Sequence, residues 1–251
     1  MEYKTMEKLT LKKAIAESGK VSLGNTKMPS TTFAISAKAC KVGAKLAKIK
    51  GSTCSRCYAL KLQNLRPSVD QGWTNNLLKA EKLISTNPAL WAKQMAFQIK
   101  RGCDKLNIHE HRWFDSGDLQ SVEMLHAIVL TAQQTPQIKH WLPTREAKIV
   151  KDYRKLHGNE PDNLVIRVSA TMIGDKPISG HVNTSTVHRH GDIVHGKECL
   201  AYRTNKDSIV IDLGTFKAMT KEQKKQQDFG HCGDCRACWS KDVPNISYPL
   251  H

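Results

Sequence analysis

Strand starts in the middle of this chain recur about every 25 to 30 residues, with an amphipathic helix in each interval. The reading gives strand 108–116, helix 121–134, strand 138–144, helix 146–157 and strand 164–170. An antiparallel hairpin needs only a few linking residues, whereas an interval that holds a whole helix is a crossover between parallel strands. The helices are legible from their apolar stripes, Val122, Leu125, Val129 and Ala132 in one and Val150, Tyr153 and Leu156 in the next, with Gly158 as a stop. Upstream, 73–85 reads as helix, and Asn87-Pro88 is a cap followed by proline at the first helical position. Trp91, Met95 and Ile99 continue on one face to Gly102. Beyond Ala170 the rhythm fades into a possible strand at 208–213 and a polar helix at 217–227. The expected fold is α/β, a parallel βα barrel, partial or complete and TIM-barrel-like, with an open doubly wound sheet as the other topology this rhythm permits.

Parallel α/β folds bind ligands at the carboxyl ends of their strands, so those ends carry the candidate site. The first closes with Ser116-Gly117-Asp118, a small-Gly-acid turn suited to an amine or a sugar hydroxyl, or else a helix-capping turn built on Asp118 or Ser121. The second closes with Thr144-Arg145. The third carries Arg167 and Ser169, two apart and therefore on one face, where a buried guanidinium would call for a carboxylate or phosphate.

Seven of the eight cysteines form two groups, Cys40, Cys54 and Cys57 early and Cys199, Cys232, Cys235 and Cys238 late. Cys232, Cys235 and Cys238 form C-x2-C-x2-C, a loop suited to a cubane 4Fe–4S cluster, with Cys199 the natural fourth ligand. Structural zinc sites more often draw on two separated C-x2-C pairs. Cys54–Cys57 and Cys232–Cys235 would supply such pairs, so one shared site and two separate ones both remain open at this point. Cys103 stands apart and reads as a core thiol. The histidine pairs His109/His111 and His188/His190, with His195 nearby, lack an accompanying carboxylate motif and read as polar surface.

A cysteine triplet ahead of a parallel βα core, a small-Gly-acid turn after an early strand and a serine ending a later one together resemble the radical S-adenosylmethionine superfamily, over roughly residues 36–172. The resemblance implies that Cys40, Cys54 and Cys57 ligate a 4Fe–4S cluster left open at one iron for S-adenosylmethionine. It places Ser116-Gly117-Asp118 on the amino group of that molecule and Arg167 with Ser169 on its carboxylate. The spacing here is C-x13-C-x2-C, longer than the family's usual C-x3-C-x2-C, and the acid is aspartate. The segments Cys54-Ser-Arg-Cys57-Tyr58-Ala59 and Cys235-Arg-Ala-Cys238-Trp239 are also similar to bacteriophage-encoded, radical-enzyme-like proteins, which would place this one in a host cytoplasm.

Composition sets the remaining expectations. No apolar run is long enough to span a bilayer, and the first 18 residues alternate charged with apolar residues, so a cytoplasmic protein with no membrane partner is expected. In that reducing setting eight cysteines argue for metal or catalytic use over disulfides. The formal charge is +16, and residues 1–66 hold twelve Lys and two Arg against three Glu, a field that would attract nucleic acid or an anionic cofactor. The chain is expected to be one domain, with a cysteine loop at 36–60, a βα core at 73–172 and a cysteine-rich segment at 199–240. The function expected is an iron–sulfur redox or radical enzyme with one or two 4Fe–4S clusters, using S-adenosylmethionine and an electron donor. The alternatives are an iron–sulfur oxidoreductase with a flavin or other anionic cofactor, in which Arg145 and Arg167 hold the anion, and a zinc-stapled nucleic-acid-binding protein without catalysis.

Overall fold

The structure, a computed structural model, describes residues 9–250. Residues 1–8, part of the basic N-terminal region, lie outside the described residues. Seven strands make one sheet: β1 (Thr31–Phe33), β2 (Glu110–Trp113), β3 (Lys139–Thr144), β4 (Leu164–Ser169), β5 (Thr184–His188), β6 (Lys197–Glu198) and β7 (Asn245–Pro249). Their order is β1-β2-β3-β4-β5-β7-β6, and every pairing is parallel. The first five strands lie side by side in chain order with no reversal, which is the winding of a barrel rather than of a doubly wound sheet. β1 and β6 remain at opposite edges, so the sheet is not closed; it is compatible with a partial barrel.

Strand alternation sorts side chains onto two faces. Phe33, Trp113, Leu142, Leu164, Ile166 and Val168 face the helices and join one apolar core. That core is completed by α4 (Pro67–Thr86), α5 (Pro88–Leu106), α6 (Val122–Gln133) and α7 (Ala147–His157), through residues such as Leu77, Trp91, Ile99, Leu125, Ile128 and Val150. Crossovers between sequential parallel strands are right-handed as a rule, which puts helices that pack on the sheet on one side of it. The opposite face presents Arg112, Trp141, Arg167 and Ser169. The C-terminal segment packs there, with Trp239 edge-on to Trp141 at 5.4 Å and its indole N–H donating to the His111 carbonyl at 2.9 Å.

The predicted central helices and strands occur, although the helix expected at 73–85 begins at Pro67, the strand expected at 108–116 is Glu110–Trp113 and the polar helix expected at 217–227 is broken after Ala218. Asn87 caps α5, its side chain accepting from the Leu90 N–H, and Ser121 caps α6 through the Met124 N–H. Two expectations change. Gly102 does not end α5, which runs on to Leu106 and stops at Asn107 in the left-handed conformation. Gly102 instead lets the helix approach β1, because a Cβ there would stand 2.8 Å from Thr31 Cγ2. The segment 208–213 is no strand: Val210 makes one isolated antiparallel bridge with Thr204, and α8 (Leu213–Ala218) begins at its end. The polar helix is α9 (Lys221–Gln226), opened by a capping box between Thr220 and Gln223.

Candidate metal centre

The early cysteines reach the carboxyl end of the sheet through two helix starts. Cys40 is the N-cap residue of α2 (Lys41–Leu46) and Cys57 that of α3 (Tyr58–Leu65), where its sulfur accepts from the Leu60 N–H at 3.5 Å. Between them, Cys54 sits in a loop tied to the chain after β4 by the Thr53 N–H donating to the Thr171 carbonyl at 2.9 Å. Gly43 makes room for two of the sulfurs. A Cβ there would lie 3.7 Å from the sulfur of Cys40 and of Cys54 alike, so these two stand within twice that distance of each other.

Burial pushes the Cys40 thiol up to about 12, reinforced by the carboxylate of Asp118 and the thiols of Cys57 and Cys54, while Arg145 acts in the other direction. Cys54 is also raised by burial and opposed by Arg145. The guanidinium of Arg145 therefore belongs to this thiol neighbourhood, held by its Nε donating to Thr53 Oγ1 at 3.0 Å.

The late cysteines form the second group. The Cys232 N–H donates to the Lys27 carbonyl at 2.9 Å, and the loop then turns back so that the Cys235 N–H reaches the Cys232 carbonyl at 3.1 Å. Gly233 has φ +53 in that turn. Cys238 lies in a short 3-10 turn, Ala237–Trp239, and Cys199 follows β6 with its N–H on the Ser247 carbonyl at 2.9 Å. Burial raises Cys232 to about 11, with Cys199 and Cys235 adding to it, and raises Cys238 to about 12 against the opposing Tyr248 hydroxyl, 3.2 Å away. The thiols that raise Cys40, Cys54, Cys199, Cys232 and Cys238 are in each case those of the same group.

Both groups nevertheless border one cavity of about 890 Å³ at the carboxyl ends of the strands, Cys40, Cys54 and Cys57 from one side and Cys199, Cys232 and Cys238 from the other. That volume suits an organic ligand. Cys235 is exposed, and Cys103 is a core thiol between Thr31 and the Glu110 carbonyl, as expected. Among the described residues, no three His, Cys, Asp or Glu side chains converge on a single-ion position. Zinc asks for that convergence, since Zn–S bonds are about 2.3 Å. In a cubane each thiolate binds its own iron, so its sulfurs stand wider apart than the ligands of a single ion.

The polar expectations divide. Ser116, Gly117, Asp118, Arg145 and Ser169 line the cavity; Thr144 and Arg167 do not. Gly117 is required where it stands: φ is +84, and a Cβ would meet Ile35 Cγ1 at 2.3 Å. Asp118 is committed to its own chain, accepting from the Thr144 hydroxyl at 2.5 Å and from the backbone N–H groups of Arg145 and Leu119. Burial lifts its carboxyl to about 6 against those bonds. It thus joins the ends of β2 and β3, and the turn-building reading describes it. Ser169 shares a hydrogen bond with Ser185 at 2.9 Å.

Arg167 shares a sheet face with Ser169, but its guanidinium is engaged by backbone carbonyls. Its Nε donates to the Cys238 carbonyl, one terminal nitrogen to Thr184 and Val243, and the other to Ala237 and Ser240. Five carbonyls match its five N–H groups, so the burial that seemed to demand a counter-anion is met by backbone dipoles. His111 and His188 are buried hydrogen-bonding residues, on Thr31 and Ser247 at 2.8 Å each, not polar surface.

Among the cavity-lining residues that escaped the sequence reading as site residues are Arg112, Asp115, Trp141 and Tyr248. A charged residue at an alternate position of an otherwise buried strand was the available signal for Arg112. Tyr248 lies on β7, a strand with no periodic pattern to announce it.

The chain matches a family model described as Gene product 88 over residues 3–241. No curated protein matches it, and neither does any solved structure. With nearly its whole length inside that match, the chain belongs to the Gene product 88 family.

Proposed function

We propose that this protein is an iron–sulfur redox enzyme with two 4Fe–4S sites facing one substrate cavity. The observation that carries the reading is the meeting of two cysteine groups, far apart in sequence, at the carboxyl end of a parallel sheet. Cys199, Cys232, Cys235 and Cys238 would hold one cluster completely. Cys40, Cys54 and Cys57 would hold another, and three thiolates leave one iron of a cubane without a protein ligand. Bound there, such a group supplies single electrons. The chain's part is to bury the thiols, to set the Arg145 cation against their negative charge, and to keep the cavity bounded by protein.

S-adenosylmethionine is the ligand that an open iron position favours. With Asp118 and Arg167 committed to the backbone, Ser169 and Arg145 are the earlier-named side chains left on the cavity to hold it. The finer architecture in this reading is a partial barrel whose mouth is closed by the cysteine-rich segment.

The test is anaerobic purification with iron, acid-labile sulfide and zinc measured on one sample, followed by reduction in the presence of S-adenosylmethionine. About eight irons per chain, with matching sulfide, are expected for two cubanes. Cleavage of S-adenosylmethionine would establish the radical branch, and its absence from a fully loaded protein would leave the oxidoreductase reading. Stoichiometric zinc without sulfide would overturn both.

A further inference from the structure

Two arginines on neighbouring strands face the same side of the sheet, and they differ in one respect. Arg167 has a carbonyl for every N–H, whereas the Nε of half-buried Arg112 has no hydrogen-bond partner among the described residues. Arg112 pairs in register with Trp141, and its guanidinium lies over that ring at 4.8 Å. Its charge acts on the Tyr58 phenol, the Asp115 carboxyl and the Cys232 thiol, which places it between the two cysteine groups. Among the described residues three more buried polar atoms of the same wall lack a hydrogen-bond partner: Ser116 Oγ, Trp141 Nε1 and Asp115 Oδ1, the Asp115 carboxyl being otherwise reached by Thr32 and by its own and the Ser116 backbone. Buried polar groups are paired in nearly all native structures, so unpaired ones from four residues on one cavity wall mark a place built for a polar guest.

We propose that Arg112, Asp115, Ser116 and Trp141 form a subsite for an organic oxyanion, a carboxylate or phosphate that also carries a hydroxyl group. The guanidinium and the indole N–H donate to the oxyanion, and Asp115 with Ser116 takes the hydroxyl. Planar guanidinium recognition of such groups is strong because two N–H bonds run parallel to two oxygens. The subsite names the substrate class for the function proposed above, yet it is made of side chains that ligate no metal, so it can be tested separately.

The experiment titrates purified protein with glycolate, and in parallel with inorganic phosphate, following heat by calorimetry and tryptophan emission. The variants are Arg112→Gln, Arg112→Lys and, as a charge-matched control on the exposed side of α5, Lys93→Gln. Loss of the guanidinium bonds should weaken binding about tenfold to a hundredfold in Arg112→Gln, with Arg112→Lys intermediate and Lys93→Gln unchanged. Glycolate binding tighter than phosphate assigns a carboxylate substrate, and the reverse order a phosphate ester. No saturable binding of either probe to the wild-type protein, or equal binding in a folded Arg112→Gln or Arg112→Lys variant, overturns the subsite. Iron content measured on the same samples reports on the metal sites alone, so failure of one proposal is distinguishable from failure of the other.

Discussion

The guanidinium of Arg167 donates through Nε to the carbonyl of Cys238 at 3.2 Å, and so a strand residue holds the cysteine-rich loop by its backbone. Four further carbonyls complete the grip, those of Ala237 at the start of the same 3-10 turn and Ser240 just after it among them.

Replacing Arg167 with methionine should therefore release the loop. It strands five buried or half-buried carbonyls, and we expect a loss of about 3 to 5 kcal/mol, as for other buried charged networks that lose one partner. Chemical denaturation measures it, and limited proteolysis should map new cleavage to 232–243. Arg167→Lys, with three donors instead of five, should fall between.

Gly117→Ala tests the turn at the end of β2. The added methyl group enters occupied space beside Ile35 and forces an L side chain into a positive-φ conformation. Loss of about 2 to 4 kcal/mol is expected, above the usual cost of a left-handed alanine because of the overlap. An unchanged denaturation midpoint would show that the turn relaxes freely.

Single cysteine substitutions should separate the two thiol groups. Cys54→Ser should lower iron by about four atoms per chain while the late group keeps its own, and Cys232→Ser should do the converse, counting one cubane per group. Loss of all iron in both variants would mean one shared site.

The core also carries a pH dependence remote from the cysteines. His111 and His140 sit within 5.4 Å of each other beneath β2 and β3, both completely buried. Burial holds His140 down to about 3 and His111 well below its ordinary value. Because the folded values are depressed, the unfolded chain binds more protons as pH falls. Each ring contributes stability that is full above about 6.5 and declines below it by about 1.4 kcal/mol per pH unit, for His140 until the folded state protonates near pH 3. Urea denaturation between pH 7 and pH 4 measures the slope, which His140→Gln should change by about 1.4 kcal/mol per pH unit.

The legible part of the fold was the part with a period. Strands β2, β3 and β4 and helices α4 to α7 announce themselves because each buries one face and alternates or repeats accordingly. β1 and β6 are short, and β5 and β7 are rich in Ser, Thr and Asn whose side chains pair across strands, as Thr186 with Ser247 at 3.1 Å. A buried strand satisfied by hydroxyls carries no apolar signal, so the sheet's second half was invisible to periodicity.

The sequence by itself determined the ligand chemistry on offer, because thiol spacing is a local property of the chain, and the parallel winding, because loop length is too. Only the tertiary structure decided what each polar residue does. Asp118 and Arg167 were read as ligand-binding groups, and both turned out to bond backbone, while Arg112 was passed over and stands beside the cavity with an unpaired nitrogen. The reason is physical. A buried charge takes whichever dipoles the fold brings to it, and four of the five carbonyls on Arg167 come from a segment 70 or more residues away in the chain.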